Sequence, residues 1–108
     1  MPHKIVTVTI DRPLGSLHPE YPDLRYGLNY GYIEGISSPD GDWQDAYIMG
    51  IDKPVSEFKG QVIAEIHRRD DIETKWVVAP IGTTFTAEEI RSATFFQERY
   101  FISEIYML

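Results

Sequence analysis

The sequence predicts a mainly β protein of the α+β class, a small β-barrel covered by a C-terminal helix. Two observations carry this prediction. Five short segments rich in β-branched and aromatic residues are separated by turn-forming residues within the first 80 positions. One segment with helical signals follows them near the carboxyl end. We expect residues 1–108 to form one domain, because this length suits a single hydrophobic core.

The first two strands are predicted at residues 5–10 and 29–33. Residues 5–10 read Ile-Val-Thr-Val-Thr-Ile and are β-branched throughout, which favours an extended strand. The proline-rich sequence between the two strands predicts an ordered loop. Gly31 interrupts the second strand, and a glycine inside a strand often marks a bulge or a close approach of another backbone or a ligand.

Three further strands are predicted at residues 45–49, 61–67 and 75–79. A Pro-Asp-Gly-Asp turn at residues 39–42 precedes the first of these. The last two are joined by the polar residues 68–74, which indicates a β-hairpin.

A helix is predicted from about residue 87 to residue 100. Thr86 and Glu89 fit a capping box, in which the hydroxyl of the N-cap residue and a glutamate three residues later satisfy each other's backbone amides. The tail, residues 101–108, is apolar enough to form a last strand or a docked extension. Residues at helical spacing are expected to pack on the sheet, namely Ile90, Ala93 and either Phe96 or Phe95.

The composition excludes several functional classes. Hydrophobic residues make up 43% and charged residues 25%, as in an ordinary folded domain. No apolar stretch approaches the roughly 20 residues of a membrane helix, and the amino-terminal sequence has no hydrophobic signal core, so we expect a cytoplasmic protein without a membrane partner. The absence of cysteine excludes disulfides, thiolate nucleophiles and cysteine-based zinc sites. The net charge of -7 argues against a nucleic-acid partner, and it would repel a small anionic substrate unless metal cations bound first.

Three aspartates are crowded together at Asp40, Asp42 and Asp45. One interpretation is an ordinary solvated turn, since aspartate and glycine are common turn residues. The other is a site for a hard cation such as Mg²⁺ or Mn²⁺, which prefers carboxylate oxygens and would relieve the repulsion between like charges. An EF-hand calcium loop does not fit, because Asp45 stands where that loop needs glycine and Ile51 where it needs glutamate.

A second acidic group, Asp70, Asp71 and Glu73, lies in a separate turn. Lys75 follows it directly, and Arg68 precedes it. If the two acidic turns meet at one end of the barrel, their carboxylates and cations together could neutralise a polyphosphate and activate water. The hypothesis of a hydrolytic site depends on this meeting of the two turns.

For Tyr30 and His67, a purely structural role is the simpler interpretation. Tyr30 is either a half-buried core aromatic or the donor of a phenolic hydroxyl to a site. His67 is placed at a strand end, where histidine is common without a functional role.

These motifs resemble those of the soluble family I inorganic pyrophosphatases. The signature of that family is Asp-x-Asp-x-x-Asp followed by apolar strand residues, and residues 40–48 here read Asp-Gly-Asp-Trp-Gln-Asp-Ala-Tyr-Ile. An upstream Asn-Tyr-Gly-aromatic segment is matched by residues 29–32. A downstream acidic turn, a lysine and a Val-Ala-Pro-like strand are matched by residues 70–80.

The resemblance implies an OB-like five-stranded barrel, a homo-oligomer, and Mg²⁺-dependent hydrolysis of pyrophosphate to two phosphates, with Mn²⁺ as an alternative cation. It implies that Asp42 takes the position of the general base beside a water held between two metals. The implied metal ligands are six carboxylates, Asp40, Asp42, Asp45, Asp70, Asp71 and Glu73. The implied substrate-binding residues are Tyr30, Lys75, Arg12 and Arg25.

Departures from the family pattern leave three functions open. Glu73 stands where the family has aspartate, and the acidic turn is about two residues shorter, so Asp70 and Asp71 compete for one ligand position. The chain is also shorter and poorer in substrate-binding cations. The three hypotheses are a compact metal-dependent pyrophosphatase, a hydrolase of another phosphoanhydride or phosphate ester, and a non-catalytic module that binds metal or phosphate.

Overall fold

The computed structural model describes residues 3–69 and 72–108. Within these residues there are six strands and one helix. Their order is β1 Ile5–Arg12, β2 Asn29–Ser37, β3 Trp43–Ile48, β4 Glu57–Arg68, β5 Thr74–Ala79, α1 Ala87–Glu98 and β6 Ser103–Met107. The five predicted strands and the predicted helix are therefore confirmed, with differences at their ends.

Five of the strands close into a barrel in the order β1-β2-β3-β5-β4, and β4 pairs back with β1. The neighbouring strands are antiparallel except β3 and β5, which run parallel. Along one edge, β4 pairs first with β1 and then with β6. The expected five-stranded OB-like barrel is confirmed, and the tail forms a sixth strand on its outside.

Side chains alternate between two hydrophobic clusters on the two faces of the sheet, as the period of two along a strand requires. Ala46 and Ile48 belong to the cluster that draws members from all five barrel strands and fills the barrel. Tyr47, between them, belongs to the other cluster, which includes Ile90 of α1 and lies between the barrel and the helix. The helix therefore covers one side of the sheet, and its far end lies over Tyr47.

Gly31 marks a close approach of two strands, as expected from the sequence. It pairs with Ile10, and the register of β1 against β2 shifts between Ile10 and Arg12, which is a bulge. A Cβ atom on Gly31 would lie 1.8 Å from the carbonyl oxygen of Thr9. Only glycine fits at this position.

The fourth strand begins at Glu57 and not at residue 61, because Glu57 to Gly60 pair with β1 to close the barrel. The helix ends at Glu98 and not at residue 100. Its chain continues in a tighter turn in which the N–H groups of Tyr100 and Phe101 bond to carbonyls three residues back.

The predicted capping box of the helix is present. The hydroxyl of Thr86 accepts a hydrogen bond from the backbone N–H of Glu89, whose carboxylate accepts one from the N–H of Thr86. Phe96 packs against the core, while Phe95 is exposed, which settles the alternative left by the sequence. No helix in the described residues is long and apolar enough to cross a lipid bilayer.

Candidate active site

The parallel pairing of β3 with β5 brings the two acidic segments together. Asp45 of β3 lies directly opposite Lys75 of β5. The ammonium of Lys75 donates to the carboxylate of Asp45 at 2.8 Å and also to the carboxylate of Glu73. One carboxylate from each acidic segment, Asp45 and Glu73, therefore meets the other on Lys75, although Asp45 and Lys75 are 30 positions apart in the chain.

Tyr30 of β2 completes this cluster from the side. Its hydroxyl oxygen accepts a hydrogen bond from Lys75 Nζ at 2.7 Å, and Lys75 as a residue is only 3% exposed. Burial raises the pKa of Tyr30 well above its ordinary value, and the negative charge of Asp45 adds to this effect. The phenol therefore stays protonated at neutral pH, which keeps a neutral hydroxyl beside the carboxylates.

Arg68, at the end of β4, links the cluster to the helix. Its Nη1 donates to Glu73 at 2.9 Å, and its Nε and Nη2 donate to the two carboxylate oxygens of Glu98 at 3.1 and 2.8 Å. Burial acts to lower the pKa of Arg68, but the hydrogen bonds and charge of Glu98 outweigh it, so the pKa is raised. Arg68 therefore remains a cation in this buried position.

A chain of buried hydrogen bonds continues from Glu98 across the helix end. Tyr47 donates to Glu98 Oε2 at 2.6 Å and accepts from Gln97 Nε2 at 2.7 Å. Gln97 Oε1 accepts from the hydroxyl of Tyr26 at 2.9 Å, and Arg12 Nη1 donates to that hydroxyl at 3.4 Å. The last turn of α1 thus ties β1, β3 and β4 to one another beneath the site.

A cavity of about 720 Å³ opens over this network. Carboxylates outnumber cations in its lining by five to three. The carboxylates are those of Asp11, Glu20, Asp23, Asp45 and Glu73. The cations are Arg12, Arg68 and Lys75. Burial raises the pKa of Asp11, and the charge of Asp45 raises it further, although the charge of Arg12 acts to lower it. The cavity lining as a whole is acidic, and two of its cations, Arg68 and Lys75, are paired with Glu73 or Asp45.

Three other predicted site residues, Asp40, Asp42 and Arg25, lie outside the lining of the cavity. Asp40 and Asp42 are exposed on the turn before β3 and do not line the cavity. Asp40 accepts hydrogen bonds from the hydroxyl of Ser38 and the N–H of Asp42, and these lower its pKa, with a smaller contribution from the charge of Lys75. Arg25 is exposed and donates to the carbonyl oxygen of Gly15 at 2.6 Å. Asp70 and Asp71 lie outside the described residues.

The carboxylates of the cavity suit Mg²⁺ only when further ligands come from a bound phosphate. Residues 3–69 and 72–108 contain no group of three or more histidine, aspartate or glutamate side chains that could hold a metal by themselves. Two carboxylates, Asp45 and Glu73, face the cavity side by side on the ammonium of Lys75. Because Mg²⁺ commonly binds through one or two carboxylates together with substrate phosphates, this pair fits a magnesium–phosphate complex.

Sequence reasoning missed the residues that support the cluster from below. Glu98 and Gln97 are buried on the same face of α1 as Ile90, which they follow at helical spacing. Two polar residues that continue an apolar helix face were the available signal. Asp11 gave no such signal, since it follows a strand as many solvated aspartates do.

The fold is shared with solved inorganic pyrophosphatases. The structure of the enzyme from Ehrlichia chaffeensis superposes with a TM-score of 0.71 over 94% of this chain and 83% of its own, at 18% sequence identity. The enzyme from Neisseria gonorrhoeae gives a TM-score of 0.68 over 89% of this chain and 73% of its own, at 19% identity. The enzyme from Coxiella burnetii gives a TM-score of 0.68 over 100% of this chain and 88% of its own, at 14% identity. No protein-family model and no curated protein sequence matches the chain.

Proposed function

We propose that this protein hydrolyses inorganic pyrophosphate to two phosphates in the cavity above Lys75, with Mg²⁺ as the required cation. The observation that carries the proposal is the meeting of Asp45, Glu73 and Lys75 at the end of the β3–β5 pair. The pyrophosphatase fold of the solved structures supports it at the level of architecture.

The charge of the cavity supports the dependence on a divalent cation. Its lining carries five carboxylates and three cations, so a bare polyphosphate anion would meet net repulsion. A magnesium complex would not, and Asp45 and Glu73 are the side chains that would hold its metal. When bound, Mg²⁺ would neutralise charge on the phosphates and lower the pKa of a coordinated water. Mn²⁺, which takes similar oxygen ligands, is the alternative.

The side chains of the cluster have distinct roles in this proposal. Lys75 exchanges its bonds to Asp45 and Glu73 for bonds to a phosphoryl oxygen, which places its charge where the leaving phosphate develops negative charge. Tyr30 holds the ammonium in position through its hydroxyl oxygen. Arg68 and Arg12 line the same cavity and supply the further cations.

The signature motif supplies the remaining roles of the proposal. By resemblance to the family I enzymes, Asp42 is the general base, and Asp40, Asp70 and Asp71 are further metal ligands. Arg25 is proposed as a substrate contact on the same basis. The charge of Lys75 makes a small contribution to the lowered pKa of Asp40, after the hydrogen bonds from Ser38 and Asp42.

Phosphate release from inorganic pyrophosphate, with excess Mg²⁺ or Mn²⁺, tests the proposal on the wild type and on Asp45→Asn. We expect release by the wild type and a loss of about a hundredfold in the variant, as is usual when a metal site is disturbed. Asp52→Asn, at an exposed aspartate outside the cavity lining, is the matched control and should keep wild-type activity. A wild type without release under either cation contradicts the proposal.

A second candidate is a module that binds phosphate without hydrolysing it. The specific observation in its favour is that Lys75 is buried and already neutralised by two carboxylates. Binding of pyrophosphate without phosphate release, in the same preparation, would favour this candidate over the first.

A further inference from the structure

The cavity above Lys75 is larger and more aromatic than pyrophosphate alone requires. Its volume of about 720 Å³ lies well inside the range of roughly 300–1,000 Å³ that accommodates drug-sized organic ligands. The residues proposed above to hold the phosphates and their metal, namely Asp45, Glu73, Lys75, Arg68 and Arg12 (the phosphate-binding cluster), form only part of its lining. Aromatic and imidazole rings line much of the rest, namely His18, Tyr21, Tyr26, Tyr100 and Phe101.

The loop before β2 holds three of these rings in a fixed arrangement. The Nδ1 atom of His18 accepts hydrogen bonds from the backbone N–H groups of Glu20 and Tyr21 at 3.0 and 3.3 Å, which fixes the ring. The His18 ring is nearly parallel to that of Tyr26, at 8° and 6.1 Å between centroids, and 5.0 Å from that of Tyr21. Tyr26 is itself buried and bonded to Gln97.

The turn after α1 supplies the other rings. Phe101 lies under the guanidinium of Arg68, with 3.6 Å between that group and the ring centroid. Tyr100 contacts Arg99 through both its ring and its hydroxyl. Tyr100 and Tyr21 both line the cavity and are each 61% exposed, although tyrosine rings gain stability when covered. Phe101 thus joins the aromatic part of the cavity to the Arg68 end of the phosphate-binding cluster.

From this arrangement we infer that the site takes a nucleoside diphosphate, whose phosphates reach Lys75 and Arg68 while its base stacks on the aromatic rings of the cavity. The inference rests on the proposed hydrolysis of a phosphoanhydride bond in this cavity, and it extends the substrates from inorganic pyrophosphate to nucleoside diphosphates. Stacking rings suit a flat base, because every nucleobase presents a π-face to them. The carboxylates of Glu20 and Asp23, in the same lining, are acceptors for ribose hydroxyls.

The reaction is a hydrolysis without redox change. The oxygen of water bonds to the terminal phosphorus, and the bond from that phosphorus to the bridging oxygen breaks. The bridging oxygen leaves on the nucleoside monophosphate with the electron pair of the broken bond. One proton of the water stays on the inorganic phosphate that forms, and the other is released to solvent.

Calorimetric titration with Mg²⁺ and an ADP analogue whose bridging oxygen is replaced by a methylene group, and separately with Mg²⁺ and imidodiphosphate, tests the inference. These analogues resist hydrolysis and stand for ADP and pyrophosphate in the affinities below. We expect ADP to bind the wild type at least about tenfold more tightly than pyrophosphate, within the range that base stacking provides. Tyr21→Ala and Tyr100→Ala should each weaken ADP binding about tenfold and leave pyrophosphate binding unchanged. Phe95→Ala is the matched control, since Phe95 is an exposed ring outside this cavity, and it should change neither affinity.

Three results would overturn the inference. In the first, ADP binds no more tightly than pyrophosphate. In the second, a prenyl diphosphate binds more tightly than ADP. In the third, the tyrosine variants change the molar mass measured by light scattering while the ADP affinity stays the same, which would assign the rings to contacts between copies of the protein. Phosphate release, measured separately, distinguishes a failure of the proposed function from a failure of the inferred substrate class. A protein that binds ADP and releases phosphate from neither compound contradicts hydrolysis alone, whereas one that releases phosphate only from pyrophosphate contradicts the substrate class.

Discussion

The carboxylate of Glu98 holds the guanidinium of Arg68 at two points, with Nε and Nη2 at 3.1 and 2.8 Å from its two oxygens. The two side chains are 6% and 5% exposed, and the pair joins the last residue of α1 to the last residue of β4. The helix therefore fixes the position of Arg68, which also reaches Glu73 at the edge of the candidate site.

Removal of Glu98 should destabilise the fold strongly. Among the described residues, Glu98→Ala leaves Glu73 as the carboxylate that still pairs with the buried cation of Arg68. Breaking a buried pair in this way costs about 3–5 kcal/mol. Urea unfolding gives the free energy directly. Glu104→Ala removes the partner of Arg69 in an exposed pair and should leave the unfolding curve unchanged. If Glu98→Ala and Glu104→Ala lowered the free energy of unfolding equally, burial would not determine the strength of the Glu98–Arg68 contact.

Gly31→Ala should disrupt the pairing of β1 with β2. The added Cβ would lie 1.8 Å from the backbone oxygen of Thr9, which cannot move without breaking the barrel. We expect a loss of at least about 3 kcal/mol in the free energy of unfolding, the upper part of the range for overpacking. Gly27→Ala is the control, because its Cβ would meet only the side chain of Phe96, at 3.4 Å. A Gly31→Ala protein as stable as the control would contradict the close approach.

Asp11→Asn should stabilise the protein at neutral pH. Burial raises the pKa of Asp11 above its ordinary 3.8, so the folded state binds the proton more tightly than the unfolded chain. Stability therefore falls as the pH rises from 3.8 to the raised pKa, and it stays lower at neutral pH. The amide cannot ionise, so the variant should melt at a higher temperature at neutral pH, and this advantage should disappear below pH 3.8. A variant that melts below the wild type at neutral pH would contradict a raised pKa of Asp11 in the folded protein.

Magnesium should raise the melting temperature if it binds the folded state. A ligand that binds only the native protein stabilises it by about 2.7 kcal/mol at a hundred times its dissociation constant. Scanning calorimetry with millimolar MgCl₂, against NaCl of matched ionic strength, measures the effect. Asp45→Asn should lose most of the shift. Superimposable curves in the two salts would count against any magnesium site.

The fold followed from local patterns, whereas several boundaries depended on contacts between distant segments. The β-branched run at residues 5–10 and the capping box of Thr86 and Glu89 specify their elements by themselves. The start of β4 at Glu57 was missed because Lys59 and Gly60 carry no strand signal of their own, and pairing with β1 imposes the extended backbone.

The candidate site likewise contains residues that sequence motifs predict and residues whose contribution depends on contacts between distant segments. Asp45, Glu73 and Lys75 were predicted from motifs that resemble the family I pyrophosphatases, and the parallel pairing of β3 with β5 puts Asp45 opposite Lys75. The contribution of Glu98 could not, since it depends on where the helix docks. Local turn geometry also decides the position of Asp40, whose carboxylate turns to Ser38 and the N–H of Asp42. Magnesium dependence and a homo-oligomeric state stay predictions.

Calorimetric titration of imidodiphosphate, a pyrophosphate analogue that resists hydrolysis, into the protein with excess Mg²⁺ tests most directly whether the cluster at Lys75 is a phosphate site. Lys75→Gln removes a charged hydrogen-bond donor and should weaken binding about tenfold or more. Lys53→Gln, at an exposed lysine outside the cavity lining, should bind as the wild type does. Tight binding by the wild type that Lys75→Gln loses and Lys53→Gln keeps is the predicted result. Equal binding by all three proteins, or no binding by the wild type, would contradict the account.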